Sequence, residues 1–449
     1  MNRNRNLWLI LILLLTAFSA WIDFSNQIRV DNPFTKEILF SRNVAVKLGL
    51  DLRGGLQALL EADVPADRAV SSEELNNTKT ILENRANGLG VSEVVMQVAG
   101  ERRIVAEFPG VSNPDEVVAA LKQTALLEFV DMGDTPGLGL EGTVIVTDTD
   151  PSQATNGETV YHTVMTGAAL DTVGVGASTL SSNYVITFTL KADATQVFAD
   201  YTTANVGKTL AIVLDKKIIS APSIKEPITG GEGSISGNFT QDSANTLAIQ
   251  LRSGSLPVPM KVVESRTVGP TLGEESVRKS VLAGAIGLIV VILFMAFNYR
   301  LPGVIADLAL IVYALVSLML FKLIPVTLTL PGIAGFILSI GMAVDANVLI
   351  FERLKEELRA GRTLSQAIDL AWSRAWPSIR DSNISTLITS LILWFFGNTF
   401  GASMVKGFSV TLALGVLVSL FTAITVTRTF LHTVLDNLKM GEHPSWFGL

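Results

Sequence analysis

An acidic residue lies within an apolar stretch of this chain. The segment "GMAVDANVLIFERLKEE", residues 341–357, carries Asp345 among Val344, Ala346 and Val348. If residues 333–351 cross a bilayer as a helix, Asp345 lies roughly 5 Å from the middle of the hydrocarbon layer. A carboxyl group at that depth is costly beside lipid and usually marks a path for protons or ions. The alternative is a structural hydrogen bond between helices, without transport.

A second polar cluster, Arg380-Asp381-Ser382-Asn383, begins a later apolar segment. We predict that Arg380, Asp381 and Asn383 join Asp345 in a proton-translocation path and form its cytoplasmic mouth. The alternative has equal weight, because Asp and Ser commonly begin helices and Arg commonly anchors a cytoplasmic helix end. Asp307 is a weaker candidate for a proton-relay residue, because it lies near the cytoplasmic end of its apolar segment and can reach the membrane interface.

The composition excludes several other chemistries. The chain has no cysteine and only three scattered histidines (His162, His432, His443), so we predict no disulfide, no thiolate catalysis, no metal and no other cofactor. The turn at residues 49–55 lacks the lysine of a phosphate-binding loop, and a structural role is expected. A net charge of −7 without runs of Lys or Arg argues against nucleic acid. We therefore expect no enzyme and no ATPase of its own.

The hydrophobic content predicts a membrane protein. Apolar residues make up 49% of the chain, and the mean hydropathy is +0.44. Six membrane-spanning helices are predicted at residues 7–22, 281–297, 304–321, 333–351, 384–396 and 408–427. Residues 363–376 repeat apolar side chains at helical spacing and predict a helix on the cytoplasmic membrane surface.

Small residues recur every fourth position in two of these spans. Gly335, Ser339, Ala343 and Asn347 form one stripe. The other consists of Gly407, Thr411, Gly415, Ser419, Ala423 and Thr427. Both patterns predict faces at which helices pack closely.

Basic residues predict the orientation in the membrane. Arg3 and Arg5 precede the first span, and the loop at 352–380 holds six Lys and Arg residues, so both regions are expected in the cytoplasm. With six spans, both termini are cytoplasmic and the long region between spans 1 and 2 is extracytoplasmic. The first segment also resembles a cleaved signal peptide, but we favour an uncleaved anchor because it keeps the span number even.

The extracytoplasmic region has an α+β pattern. Strands at 57–61, 94–98, 104–108 and 126–130 with helices at 73–87 and 114–123 give the order βαββαβ, which predicts a ferredoxin-like domain. A second, looser copy is predicted within 184–265. The polar stretch at 133–176 is either a mobile connection or part of an inserted lobe, and we favour the lobe.

The overall prediction is an α-helical membrane protein with six transmembrane helices, an extracytoplasmic α+β ferredoxin-like domain and an inserted head lobe. The predicted parts are the first transmembrane helix at 1–28, a periplasmic base at 29–132, a head lobe at 133–253, a return strand at 254–275, transmembrane helices 2–6 at 276–432 and a cytoplasmic tail at 433–449.

Four motifs carry a family resemblance. "LGLDLRGG" at 48–55, "TLPGIAGFILSIGMAVDANVLIFERLKEE" at 329–357, "IRDSNISTLIT" at 379–389 and "VKGFSVTLALG" at 405–415 follow one another in the order of the SecD/SecF family, which the chain resembles over nearly its whole length. Met404 stands where proline is common in that family, and Ser409 where alanine is common. Neither departure touches the acid.

The resemblance implies that the membrane part is half of a resistance-nodulation-division-like unit, and that the chain functions in protein export. It implies an inner-membrane subunit that forms a heterodimer with SecF, works with the SecYEG channel and the motor SecA, and has YajC and YidC as further candidate partners. Asp345 would conduct protons, and the periplasmic lobes would hold an unfolded preprotein. Two alternatives stay open: a proton-driven efflux half-transporter for a small molecule or lipid, and a scaffold in which Asp345 only locks helices together.

Overall fold

A computed structural model describes residues 2–31, 38–91, 93–111, 113–137, 139–150, 159–177, 184–324 and 326–438. The chain divides into two compact units. Residues Met1–Gly54 and Val268–Leu449 form one, here called the helical unit, and Gly55–Thr267 form the other, the sheet unit. His443, most of the predicted tail and parts of the stretch at 133–176 lie outside the described residues.

The helices, in chain order, are α1 Asn2–Phe24, α2 Leu50–Arg53, α3 Ser72–Gly88, α4 Pro114–Lys122, α5 Ala192–Ala204, α6 Gln241–Ser253, α7 Pro270–Leu323, α8 Leu330–Arg359, α9 Leu364–Thr399, α10 Ser403–Phe421 and α11 Arg428–Leu438. A π-helical segment, Thr422–Thr427, joins the last two.

The strands are β1 Gln27–Asp31, β2 Ile38–Asn43, β3 Lys47–Leu48, β4 Gly55–Ala62, β5 Val95–Ala99, β6 Arg103–Pro109, β7 Leu127–Asp131, β8 Val146–Thr147, β9 Val160–Thr166, β10 Leu170–Ala177, β11 Tyr184–Leu190, β12 Leu210–Leu214, β13 Lys217–Ser220, β14 Glu232–Phe239, β15 Met260–Val268 and β16 Thr327–Leu328.

Apolar runs form the long helices of the helical unit. Within the described residues, four helical stretches are long and apolar enough to cross a membrane: Asn6–Phe24, Gly273–Leu323, Leu330–Arg359 and Ser403–Val434. The second has 51 residues and contains both segments predicted at 281–297 and 304–321. Its backbone leaves the helical region at Arg300 (φ 51°, ψ −121°), two residues before Pro302, where a continuous helix would be disrupted.

The amphipathic stretch at 363–376 does not lie apart as a surface helix. It forms the first half of α9, continuous with the segment predicted at 384–396, with Pro377 inside the helix. Its apolar face, with Ile368 and Trp372, is buried against residues of α8 and the π-helical segment such as Ile350 and Ala423. The prediction of a membrane-surface helix was wrong because a narrow apolar face fits a protein neighbour as well as a lipid surface.

In the sheet unit, the first sheet has the strand order β15-β4-β6-β5. β4 and β5 both pair antiparallel with β6, and α3 and α4 cover one face through buried residues such as Leu82 and Leu121. The helix α3 begins with a capping box, in which Ser71 Oγ accepts from Glu74 N and Glu74 Oε2 accepts from Ser71 N. The strands and helices predicted for residues 57–123 are confirmed as β4, α3, β5, β6 and α4.

The strand predicted at 126–130 exists as β7, but it was placed in the wrong sheet. β7 lies in the middle of a five-stranded sheet of order β13-β12-β7-β9-β8, and the edge position beside β4 is taken by β15, about 130 residues later in the chain. The predicted second copy also fails, because its strands are divided among this sheet, the first sheet and a three-stranded sheet of order β10-β11-β14. Local pattern fixes a strand but not its long-range partner.

One buried arginine joins the parts of the sheet unit. Arg85 in α3 is fully buried, and its guanidinium donates to the main-chain oxygens of Gln123 (2.5 Å), Thr124 (2.9 Å) and Gly254 (2.8 Å). These oxygens lie on the two stretches of chain that connect the first sheet to the other two. A buried cation that satisfies three carbonyl groups holds those two stretches together.

Candidate functional site

The helix α8 positions the acid predicted to carry protons. Thr329 begins the helix, and its Oγ1 accepts from Gly332 N at 3.1 Å. The stripe Gly335, Ser339, Ala343 and Asn347 is buried, as its small side chains predict. The corresponding stripe of α10 and the π-helical segment, from Gly407 to Thr427, is buried too. Both predicted packing faces are confirmed.

Close contacts hold α8 against its neighbours. Thr411 Oγ1 in α10 donates to Gly332 O at 2.9 Å, across the two helices. Tyr313 Oη in α7 lies 2.5 Å from Ser339 Oγ, which itself donates to Phe336 O. A Cβ atom on Gly415 would lie 2.2 Å from Ser339 Oγ, so this position of α10 admits glycine alone without a shift. The helix that carries the acid is therefore fixed on one side.

Asp345 lies on the opposite side of α8. Successive helical residues turn by about 100°, so Asp345 is about 200° round the helix from Ala343. Its side chain is exposed in this chain, whereas Ala346 and Asn347 beside it are buried. Within the described residues it makes no hydrogen bond or ion pair. It does not lock two helices of this chain together, and it is open to whatever covers this face of α8.

The helix α9 flanks this face but does not reach the acid through a polar contact. Thr386 Oγ1 lies 4.0 Å from Met342 Sδ, one turn before Asp345. Arg380 and Asp381 are exposed and pair with each other, Nε to Oδ1, at 2.8 Å. Asn383 is buried, and its Nδ2 donates to Ile379 O of its own helix at 2.7 Å. The structure thus brings Arg380 and Asp381 together, and among the described residues it shows no hydrogen bond or ion pair between this cluster and Asp345.

Several buried polar atoms inside the helical unit have no hydrogen-bond partner among the described residues. They include Asp307 Oδ1, Ser317 Oγ, Asn347 Oδ1, Ser390 Oγ and Thr427 Oγ1. Buried polar groups nearly always have partners, and water is the simplest partner for such atoms. Thr427 belongs to the π-helical segment, a feature that is frequent at functional sites. Sequence analysis did not single out Ser317, although a lone hydroxyl within an apolar run was a usable signal.

The sheet unit carries a cleft of about 580 Å³. Its lining includes Leu214, Ile219, Phe239, Leu247 and Gln250. Gln250 is 2% exposed, and its Nε2 has no partner among the described residues. Three other rings of this unit, Phe129, Phe188 and Phe198, pack on one another in the core with centroids 5.5 and 5.9 Å apart.

Within the described part of the chain, no group of three or more His, Asp or Glu residues could hold a metal ion. The described histidines each meet one carboxylate: His162 Nδ1 lies 2.6 Å from Asp148 Oδ2, and His432 Nε2 lies 3.6 Å from Asp369 Oδ1. Neither pair is close to Asp345 in the sequence.

Comparison with known families gives three matches along the chain. Residues 75–134 match the N-terminal part of the P1 domain of protein translocase subunit SecDF, and residues 144–258 match its P1 head subdomain. Residues 254–436 match the C-terminal domain of the protein export membrane proteins SecD and SecF.

Individual proteins resemble the chain over most of its length. Protein translocase subunit SecD of Thermobaculum terrenum is 48% identical over 489 residues, which cover 97% of this chain and 93% of the relative. That of Acidaminococcus fermentans is 45% identical over 403 residues, covering 90% and 89%. The crystal structure of SecDF, a translocon-associated membrane protein from Thermus thermophilus, is 34% identical with a TM-score of 0.62. It is matched over 97% of this chain, which spans 60% of that solved chain.

Proposed function

The chain belongs to the SecD family of protein translocase subunits, and from this premise we propose that it uses the proton-motive force to promote preprotein movement outside the membrane. The relatives support a role as an accessory subunit of Sec protein translocation, in a membrane protein with a periplasmic P1 head domain. The proton-driven step and its partners are the proposal.

The observation that carries the proposal is the position of Asp345. Its carboxyl group is exposed on the side of α8 opposite the close-packed stripe. An acid facing lipid at this depth would be costly, so we infer that a partner chain or a water-filled passage covers it. We propose SecF as that partner, in a heterodimer whose twelve spans are shared equally.

One proton carries enough free energy for such a step. A unit charge that crosses 100 mV releases about 2.3 kcal/mol, and each pH unit of gradient adds about 1.4 kcal/mol. A two-state equilibrium shifts about tenfold for every 1.4 kcal/mol. Protonation of Asp345 from one side and release to the other would therefore bias a conformational change usefully.

We propose that polar side chains of the helical unit form the route of the proton. Arg380, Asp381 and Asn383 remain our candidates for its cytoplasmic mouth, and the unpartnered oxygens of Asp307 and Asn347 favour water within the helical unit.

We propose that the chain lies in the inner membrane and crosses it six times, with both termini in the cytoplasm. The two halves of α7 would be separate crossings, and the second half of α9 would be the fifth. The domain bounds given above stay part of this proposal, including a ferredoxin-like base with β15 as its return strand.

The cleft of the sheet unit supports contact with an unfolded preprotein. Its mixture of apolar side chains with a buried amide that lacks a partner suits an extended peptide, which presents both side chains and main-chain polar groups. The SecYEG channel would deliver that peptide, SecA would supply ATP hydrolysis, and YajC and YidC are further proposed partners.

The test is the variant Asp345→Asn with the SecF partner present. We expect precursor processing to slow while the thermal unfolding midpoint stays near that of the wild type, because the amide fills the same space without titrating. The matched control is Asp369→Asn, which removes an acid of the same helix α9 that pairs with Arg428 at 2.6 Å and has no place in the proposed proton path. Export unchanged in Asp345→Asn would refute the proton-driven step.

The same variant separates the alternatives. A fall in the unfolding midpoint that parallels the loss of export would favour a scaffold role. Increased drug or lipid susceptibility with normal precursor processing would favour an efflux half-transporter. The burial of the Phe129 and Phe198 rings in the core argues against an efflux half-transporter, because neither ring is available to a ligand.

A further inference from the structure

The motif at residues 48–55 is not part of the proposed proton path, yet it contacts the helix that carries Asp345. Strand β3, at the start of the motif, pairs parallel with β16, just before α8. Gly49 N donates to Leu328 O at 2.8 Å. The chain then forms the short helix α2 and reaches β4, the first strand of the sheet unit, at Gly55.

Asp51 makes the direct connection. Its Oδ2 accepts a hydrogen bond of 2.5 Å from Leu330 N, the first residue of α8. The first amides of a helix have no partner within the helix, and they lie at the positive end of its dipole. A carboxylate is therefore the strongest side-chain acceptor for that position.

Two glycines allow this arrangement. A Cβ on Gly49 would lie 2.7 Å from Asp51 Oδ1 and 2.8 Å from Thr329 Cγ2, so a larger residue would separate the carboxylate from the helix start. A Cβ on Gly273 in α7 would lie 2.4 Å from Leu52 O, so α2 is also held tightly against that helix. The motif thus fixes Asp51 by main-chain contacts on both sides.

We propose that Asp51 is a positioning residue that transmits the movement of α8 to the segment leading into the sheet unit. This inference rests on the proposed function. From Leu330 to Asp345 the helix is unbroken over roughly 22 Å, so a shift at the acid moves the helix start with it. Only three residues of chain separate Asp51 from Gly55, so this short segment can absorb little of the shift.

A measurement of proton flux beside export tests this role. In vesicles that contain the chain with its SecF partner and the Sec channel, Asp51→Ala should lower the proton-dependent part of export about tenfold, the factor that corresponds to losing one charged hydrogen bond. Proton flux through the subunit should be retained, because Asp345 is untouched. Asp51→Asn keeps an acceptor for Leu330 N and should keep export.

The matched control is Thr329→Val. It removes the hydrogen bond to Gly332 N but leaves the Asp51 carboxylate in place. Thr329→Val should lower the stability of the protein, but it should not lower export while proton flux is retained. If Thr329→Val loses export as Asp51→Ala does, the effect is one of helix capping in general, and the proposal is overturned.

If Asp51→Ala does not fold, Gly49→Ala carries the test, since it displaces the carboxylate without removing it. Export retained in both variants, or proton flux lost together with export, would overturn the proposal. A failure of the proposed function looks different: wild type and Asp345→Asn would then show the same proton flux, whatever happens at Asp51.

Discussion

The contact between Gly415 and Ser339 gives a sharp test of how α8 is held. In Gly415→Ala, the new Cβ would lie 2.2 Å from Ser339 Oγ, 2.5 Å from Ser339 Cβ and 2.9 Å from Tyr313 Oη. Rotation of the serine hydroxyl cannot relieve this overlap, because the Cβ of Ser339 is itself too close. The helices α8 and α10 must separate by roughly 1 Å to restore ordinary contact near 3.5 Å.

The expected cost follows from two opposing effects. Overpacking of a tight interface costs about 1–3 kcal/mol. Alanine gains up to about 1 kcal/mol over glycine in a helix. Gly287→Ala isolates that gain, because a Cβ on Gly287 in α7 meets nothing within 4 Å. The difference between the two variants therefore measures the overpacking alone.

The assay is thermal unfolding of the purified protein in detergent, followed by export with the partner present. Gly415→Ala should have a lower unfolding midpoint than Gly287→Ala, and export should fall because α8 has moved. Adding Ser339→Gly, which removes the clashing Cβ, should restore part of the stability. If Gly415→Ala is as stable and active as Gly287→Ala, the close packing of α8 on α10 is not what positions the acid.

Two further predictions concern the sheet unit. Arg85→Met should destabilise it by at least about 3 kcal/mol, since three buried carbonyl groups lose their donor at about 1–3 kcal/mol each, and Arg85→Lys should cost less; urea unfolding of the full chain checks both. Hydrogen bonds from the Ser71 amide and hydroxyl hold the pKa of Glu74 below its ordinary value of 4.5. The hydrogen bonds of the Glu74 carboxylate therefore stabilise the folded state above pH 4.5, and this stabilisation is lost as the pH falls through the lower folded-state pKa. Glu74→Gln should flatten that part of the pH dependence, which amide exchange in α3 measures.

Local patterns predicted the elements of the fold well. The apolar runs predicted the long helices. The stripes of small residues at every fourth position predicted the buried faces of α8 and α10, because small side chains along one helix face allow two helices to pack closely. The alternation of β4 and the turn residues around it gave a strand within two residues of its true ends.

Long-range pairing was not predictable in the same way. Strand β7 has the pattern of a buried strand in any sheet, and nothing local indicates that its neighbours are β12 and β9. Similarly, the apolar face at 363–376 could not reveal whether protein or lipid covers it. The burial of Asp307 and the contact of Asp51 with Leu330 also depend on residues distant in sequence.

The functional role of the candidate site stays a prediction, although the structure shows where its residues lie. The residue types around Asp345 indicated a buried acid, and the structure places its side chain on the open face of α8. The cluster at 380–383 was predicted as one group, but Asn383 is turned inward and bonds to its own helix, because a helix sends neighbouring side chains in different directions.

The most direct test of the central claim is proton flux into vesicles that contain the chain with its SecF partner under an imposed pH gradient. We expect flux in the wild type, partial flux in Asp345→Glu, which keeps a titratable group, and none above the lipid background in Asp345→Asn. Flux in Asp345→Asn equal to that of the wild type would contradict the assignment of Asp345 as the proton carrier.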